Sequence, residues 1–104
     1  MTCLIQKSLR VDADNGFTHG HFEGHPIVPG AVSLKWMLET LAEALNLPKL
    51  ERFRIRNFKC LQELPPPCEV TITVYQRREH VYSLELHRGE QRIASVEVDY
   101  PMST

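Results

Sequence analysis

One amphipathic segment, residues 30–47, constrains the fold more than any other part of the sequence. Its leucine, alanine and methionine residues recur at helical spacing, and Pro48 ends the run. Lys35, Glu39 and Glu43 fall on another face of the same helix. Because the apolar stripe is wide, this pattern predicts a central helix that lies against a sheet, and it is the one convincing helix in the sequence.

The rest of the sequence alternates apolar and polar residues in short runs, as strands with one buried face do. Such runs are too short and too regular in their alternation to be helices. Five strands are predicted, the first over residues 3–11 and the others around Ile55, Ile72, Leu84 and Val96.

Turn residues separate these runs and set the fold class. Hairpin turns are predicted at residues 77–79 and 89–90. The prolines of residues 64–67 require a loop, because proline has no backbone N–H to donate to a sheet. The sequence therefore predicts an α+β fold, one central helix wrapped by an antiparallel sheet of about five strands. We expect a single domain over residues 1–104.

Composition excludes several classes of protein. Twelve basic and thirteen acidic residues give a net charge of −1, so no overall positive field favours nucleic acid. No apolar run approaches the roughly 18 residues of a membrane helix. Three cysteines without CxxC spacing are typical of reduced thiols, which favours the cytoplasm over an oxidising compartment. A core this small also favours a dimer.

The segment before the helix has a composition that needs a functional reason. Residues 12–29 are rich in Asp, Gly and Pro, and a loop of this length is usually functional. The start of a helix exposes backbone N–H groups that can polarise a carbonyl oxygen. An imidazole such as that of His21 can then take a proton from the adjacent carbon. Glycines allow close approach of a ligand, and prolines fix the loop.

This segment resembles the hallmark of a known family, the hot-dog-fold β-hydroxyacyl-acyl-carrier-protein dehydratases. The hallmark is His-Phe-Pro-Gly-x-Pro-x-x-Pro-Gly ahead of the central helix, and only its first proline is changed here, to Glu23. The residues after Gly30 are most similar to the short ApeI-like branch, which is associated with aryl polyene or related fatty-acyl pathways. The segment reads His21-Phe22-Glu23-Gly24-His25-Pro26-Ile27-Val28-Pro29-Gly30.

The resemblance implies a reaction and a set of roles. The expected substrate is a β-hydroxyacyl group on acyl carrier protein, which is dehydrated to the trans-2-enoyl thioester without a cofactor or metal. His21 would be the catalytic base, and the helix start at Gly30 and Ala31 would bind the thioester carbonyl. The site would lie in a tunnel at the interface of a homodimer, or of a heterodimer with another hot-dog subunit. Further substrate contacts are expected from Phe22, Gly24 and Pro29.

This sequence differs from the family at the residue that protonates the leaving hydroxyl group. The family has a helix carboxylate in the second turn after the last glycine of the motif, and this sequence has Lys35 there. A buried lysine can donate a proton, and Glu39, one turn and about 5.4 Å further along, can supply a carboxylate. Alternatively, His21 acts as both base and acid, or the site binds acyl chains without turnover. A solvated Lys35–Glu39 pair without function is equally compatible with this spacing.

Other functions are compatible with the same loop. A hot-dog thioesterase would use a carboxylate to activate water, and Asp12, Asp14 and Glu23 are candidates. A non-catalytic acyl-binding or partner subunit is the alternative from another class. His19, His21 and His25 have a spacing that suits zinc, but the dehydratase loop explains the surrounding glycines and prolines better.

Basic residues concentrate after the helix. On one strand face and a nearby turn they can form a patch for an acidic carrier protein, or a solvated surface balanced by glutamates. These residues are Arg52, Arg54, Arg56, Lys59, Arg77 and Arg78.

Overall fold

The computed structural model describes residues 1–12 and 27–102 of the chain, which form one helix and five strands. The helix precedes four of the five strands, as the sequence predicts. In chain order the elements are β1 (Thr2–Val11), α1 (Gly30–Ala44), β2 (Arg54–Cys60), β3 (Cys68–Arg78), β4 (Val81–Arg88) and β5 (Gln91–Asp99).

The five strands form one antiparallel sheet in the order β1-β3-β4-β5-β2. The hairpins β3–β4 and β4–β5 occupy its centre, and β1 and β2 are the edges. The predicted architecture of one helix on a five-stranded antiparallel sheet is confirmed. The predicted turn at residues 89–90 is also confirmed, but the first hairpin turn lies at residues 79–80, because β3 continues to Arg78.

The helix ends three residues before the predicted Leu47, because the chain adopts a left-handed conformation after it. Asn46 has φ 58°. The N–H of Leu47 donates to the Ala42 carbonyl at 2.8 Å, and that of Asn46 donates to the Glu43 carbonyl at 3.1 Å. This pair of bonds is the Schellman arrangement, which satisfies the last carbonyls of a helix and stops it.

The core lies between the inward face of α1 and the sheet. Met37 and Leu41 of the helix and Leu84 of the central strand have no exposed surface. Alternate residues of β3, β4 and β5 point towards them, as the period of two requires. The helix is therefore fixed by its buried face, and Lys35, Glu39 and Glu43 are exposed on the other, as predicted.

The edge strand β2 departs from the predicted alternation. Ile55 was predicted on its buried face, but 37% of this residue is exposed. A bulge interrupts the pairing with β5 between Arg56 and Lys59, and Asn57 within it has φ 53°. Because β2 pairs with β5 on one side only, its apolar residues receive less cover than those of the central strands.

Candidate active site

The start of α1 presents free backbone donors. Val28 is held by a bond from its N–H to the Leu64 carbonyl at 2.9 Å, and Pro29 is the N-cap residue. The N–H of Val32 donates to the Pro29 carbonyl at 3.0 Å. The N–H groups of Gly30 and Ala31 precede this first helical bond and have no acceptor among the described residues. Carbonyl binding by Gly30 and Ala31 stays a prediction, and these two N–H groups are the donors to which it refers.

Gly30 allows β2 to approach the start of the helix. A Cβ atom at this position would lie 2.6 Å from Cys60 Sγ, closer than packed atoms approach. Cys60 and Gly30 line a groove of about 290 Å³ between the helix start and the ends of the strands, together with Ser33. A side chain at position 30 would therefore displace Cys60 Sγ from its present place.

A larger groove, here called the helix groove, runs along the exposed face of α1. Its volume is about 760 Å³, and it extends from Ala31 at the helix start to the segment that follows the helix. Lys35 and Glu39 also line it, so three residues that the sequence predicted as site residues share one cavity. Its apolar walls are formed by Leu34, Leu38, Leu47, Leu50 and Phe53.

Charged side chains on the rim of the helix groove differ in their partners. Lys7 Nζ on β1 lies 2.7 Å from Glu43 Oε2, which occupies that carboxylate. Lys35 and Glu39 form no hydrogen bond or ion pair within residues 1–12 and 27–102. Of the two carboxylates that line this groove, Glu39 is therefore the one without a partner among the residues that the structure describes.

Several predicted site residues lie outside the described residues, namely His21, Phe22 and Gly24. The same holds for Asp14 and Glu23 of the thioesterase alternative and for His19 and His25 of the zinc alternative. Asp12, the remaining thioesterase candidate, is exposed at the end of β1 and accepts a bond from Arg10 Nε at 3.1 Å. Within residues 1–12 and 27–102, no group of three or more His, Cys, Asp or Glu side chains could hold a metal ion.

Sequence reasoning missed two contributors to the site. Cys60 packs against Gly30, and Lys7 binds Glu43, although each pair is separated by thirty or more residues of sequence. No local pattern signals either contact, because both depend on which strands border the helix.

Replacing Gly30 with alanine tests the packing of the helix start. The added Cβ would overlap Cys60 Sγ, the end of an exposed side chain, so Cys60 must change its χ1 angle, at a cost of about 0.5–1.5 kcal/mol. We expect urea unfolding to show this loss in Gly30→Ala. In a Cys60→Ala background the nearest remaining atom, Cys60 Cβ, is 4.0 Å away, so the same substitution should be neutral there. Equal costs in both backgrounds would contradict the contact.

The fold and the groove define a class of protein. One helix in an antiparallel sheet, with its start at a cavity, is the arrangement of hot-dog proteins. Within this class the chain belongs to the ApeI-like family, described as ApeI dehydratase, whose model matches residues 2–97. The resemblance found in the sequence is thus confirmed at the level of the family.

Solved structures agree on the fold. The dehydratase heterocomplex ApeI:P from Xenorhabdus doucetiae is similar with a TM-score of 0.74 and 19% identity, over 90% of this chain and 83% of that one. An uncharacterized protein from Erwinia carotovora subsp. atroseptica has a TM-score of 0.69 and 18% identity, over 94% and 93%. A probable thioesterase from Bartonella henselae has a TM-score of 0.54 and 18% identity, over 91% and 87%.

None of the curated protein sequences compared with the chain is significantly similar to it. Among the described residues, α1 is too short and too polar to cross a membrane.

Proposed function

We propose that the protein dehydrates β-hydroxyacyl thioesters carried by acyl carrier protein to trans-2-enoyl thioesters. One observation carries the proposal: Ala31, Lys35 and Glu39 line a single apolar groove that extends from the first turn of α1 along its exposed face. Membership of a dehydratase family supports the same reaction. The pathway would be fatty-acid or aryl-polyene biosynthesis in the cytoplasm.

The helix start binds the thioester. The N–H groups of Gly30 and Ala31 donate to the carbonyl oxygen, where negative charge develops when the neighbouring carbon loses its proton. The positive end of the helix dipole lies at the same place and stabilises that charge. The acyl chain then extends along Leu34 and Leu38, where burial of its methylene groups supplies binding energy.

Two protons move in the reaction. His21 takes the proton from the carbon next to the carbonyl, and the electrons of that C–H bond form the C=C bond. The C–O bond to the β-hydroxyl group breaks, and the leaving oxygen receives a proton and departs as water. We assign this second proton to Glu39, which would carry it as a neutral carboxyl group once a second chain has closed the groove and excluded water, because Lys7 pairs with the other carboxylate of the helix groove, Glu43.

Lys35 has a different role from the carboxylate that it replaces. It is exposed on the rim of the helix groove, one helical turn before Glu39. An exposed ammonium group is a poor acid at neutral pH, but it is a strong hydrogen-bond donor. We therefore assign it to hold the β-hydroxyl oxygen while Glu39 delivers the proton.

A second hot-dog chain would complete the site. The helix groove is open to solvent along one side, and β2 is a sheet edge whose Ile55 is exposed. A second copy, or a different subunit as in the ApeI:P heterocomplex, would cover apolar surface that one chain leaves open. Association would close the groove into a tunnel and exclude water from the reaction.

The test is dehydration itself. Short, medium and aryl β-hydroxyacyl groups are loaded on acyl carrier protein, incubated with the protein, and followed by mass spectrometry. We expect loss of one water's mass from the acyl carrier, and hydration of the enoyl thioester in the reverse direction. Release of the free acid without dehydration would instead identify a thioesterase.

The same assay can also exclude both dehydration and thioester hydrolysis. If no acyl group changes mass, with the protein alone or with a second hot-dog subunit, the proposed function is wrong. Acyl-carrier binding without turnover would then identify a binding subunit.

A further inference from the structure

The small groove at the start of α1 brings a free thiol next to backbone N–H donors. Here called the cysteine groove, it has a volume of about 290 Å³, and Gly30, Ser33 and Cys60 are among its lining residues. We propose that Cys60 is a nucleophile in this groove and takes the acyl group from a bound thioester. This transfer of an acyl group to the protein's own thiol is a second activity, separate from the proposed dehydration.

The Cys60 side chain lies against the helix start but stays open to solvent. Its Sγ atom is 2.6 Å from the place that a Cβ atom at Gly30 would occupy, so the sulfur fills the space that this glycine leaves. Cys60 is nevertheless exposed, and all three cysteines of the chain are free. A cysteine that only fills a core is buried and inert, whereas reactive thiols are partly exposed and stand at electropositive places such as a helix N-terminus. Both conditions for reactivity hold for Cys60.

Ser33 provides an independent observation at the same groove. It lines the groove one helical turn after Gly30 and is only 3% exposed. Its hydroxyl group forms no hydrogen bond within residues 1–12 and 27–102, yet no fully buried polar side-chain atom there is without a partner. The hydroxyl oxygen therefore reaches the surface of the groove. Because buried polar groups in proteins are nearly always hydrogen-bonded, a ligand oxygen in the groove is its natural partner.

The cysteine groove and the helix groove meet at the start of α1. Ala31 lines the helix groove, and Gly30, the residue before it, lines the cysteine groove. A thioester whose carbonyl oxygen accepts from both N–H groups can extend its acyl chain along the helix groove while its carbonyl carbon faces Cys60. This place of the carbonyl group rests on the proposed function. The approach of Sγ to Gly30 does not, because it is set by the packing of β2 beside the helix start.

The transfer exchanges one thioester for another. The Cys60 thiol loses its proton to solvent, and the Sγ thiolate forms a bond to the carbonyl carbon. The carbonyl oxygen becomes negative, and the N–H groups of Gly30 and Ala31 stabilise that charge. The C–S bond to the carrier then breaks, and the carrier leaves as a thiolate that takes up a proton. In the product, the acyl oxygen on Cys60 accepts a hydrogen bond from the Ser33 hydroxyl group.

The other two cysteines are internal controls. Cys3 is exposed on β1, the edge of the sheet opposite β2, so reagents reach it but it has no helix start beside it. Cys68 is half-buried, and burial raises the pKa of its thiol, which makes it a poor nucleophile at neutral pH. A reagent that senses only exposure of the thiol therefore modifies Cys3 and Cys60 alike, whereas a reaction that uses the helix start favours Cys60.

The test uses a thioester that cannot be dehydrated. The full chain is incubated with hexanoyl-N-acetylcysteamine, which has no β-hydroxyl group, and the acylated cysteines are identified by peptide mass spectrometry. A parallel reaction with iodoacetamide measures the general reactivity of each thiol. We expect the ratio of acylation to alkylation to be at least about tenfold higher at Cys60 than at Cys3, because oxyanion donors accelerate only the acyl transfer. Equal ratios at the two cysteines would overturn the proposal.

Two variants test the geometry and keep the Cys60 thiol. Gly30→Ala displaces Sγ from its place, so the ratio at Cys60 should fall to that at Cys3 while alkylation by iodoacetamide continues. Ser33→Ala removes one hydrogen-bond donor from the groove and should lower the ratio about three- to tenfold. An unchanged ratio in either variant would contradict acyl transfer in the cysteine groove.

Acyl transfer and dehydration can fail separately, because the probe thioester contains no group that dehydration could remove. Selective acylation of Cys60 by a protein that does not dehydrate β-hydroxyacyl thioesters supports this inference and contradicts the proposed function. Dehydration by a protein whose Cys60 is not selectively acylated supports the proposed function and overturns this inference.

Discussion

The His21→Ala variant is expected to lose dehydration by about 10²- to 10⁴-fold, the usual contribution of a general base. Under the proposed mechanism, the proton next to the carbonyl would have no acceptor without the imidazole, and the N–H groups of Gly30 and Ala31 would only polarise the thioester. Substrate binding should change little, because the groove and the helix start remain. The measurement is kcat and KM for a carrier-bound β-hydroxyacyl group, followed by mass spectrometry.

His25→Ala and His19→Ala are the matched controls for this prediction. They remove the same kind of side chain within four residues of His21 in the sequence. Both should keep activity within a few-fold of the wild type. An active His21→Ala variant would contradict the assignment of the base.

The three variants also distinguish the zinc alternative. A metal site built from His19, His21 and His25 predicts similar losses in all three variants, zinc in the purified protein and inactivation by a chelator. The dehydratase hypothesis predicts that only His21→Ala loses activity and that a chelator has no effect.

The sequence predicted those parts of the fold that depend on local pattern. The helical spacing of residues 30–47 and the alternation of the strands both reflect which face is buried, and each is visible within a short window. The helix end was placed three residues late, because the left-handed Asn46 is set by capping bonds rather than by hydrophobicity. The predicted burial of Ile55 was wrong for a related reason: alternation cannot show that β2 is an edge strand with a bulge.

The same division holds for the candidate site. Lys35 and Glu39 were predicted on one face because residues four apart share one face of a helix, and the structure brings both, with Ala31, into one groove. What the sequence could not show was the state of each carboxylate. Glu43 is occupied by Lys7, a residue of β1 that lies 36 positions away in the chain. The two carboxylates differ only because β1 packs beside the helix and brings Lys7 to Glu43.

This difference between Glu39 and Glu43 predicts that Glu39→Gln lowers kcat for dehydration by about 10²- to 10⁴-fold. Glutamine keeps the size and hydrogen-bonding capacity of the side chain but has no proton to give to the leaving hydroxyl group. Because the proposed mechanism assigns binding of the acyl chain and the thioester carbonyl to other residues, KM should stay within a few-fold of the wild type. The assay is the one used for His21→Ala.

Glu43→Gln is the matched control, since it makes the same change one turn further along the same groove. It breaks the ion pair with Lys7, which is exposed and contributes little to stability, so activity should be nearly unchanged. Lys35→Met should cause an intermediate loss, because the β-hydroxyl oxygen loses a hydrogen-bond donor while the proton donor remains.

If Glu39→Gln is fully active and Lys35→Met is inactive, the lysine is the acid and the assignment is wrong. If both variants are active while His21→Ala is not, His21 serves as both base and acid or a second subunit supplies the proton. The variants thus test whether the proton donor is Glu39, Lys35 or a group other than these two.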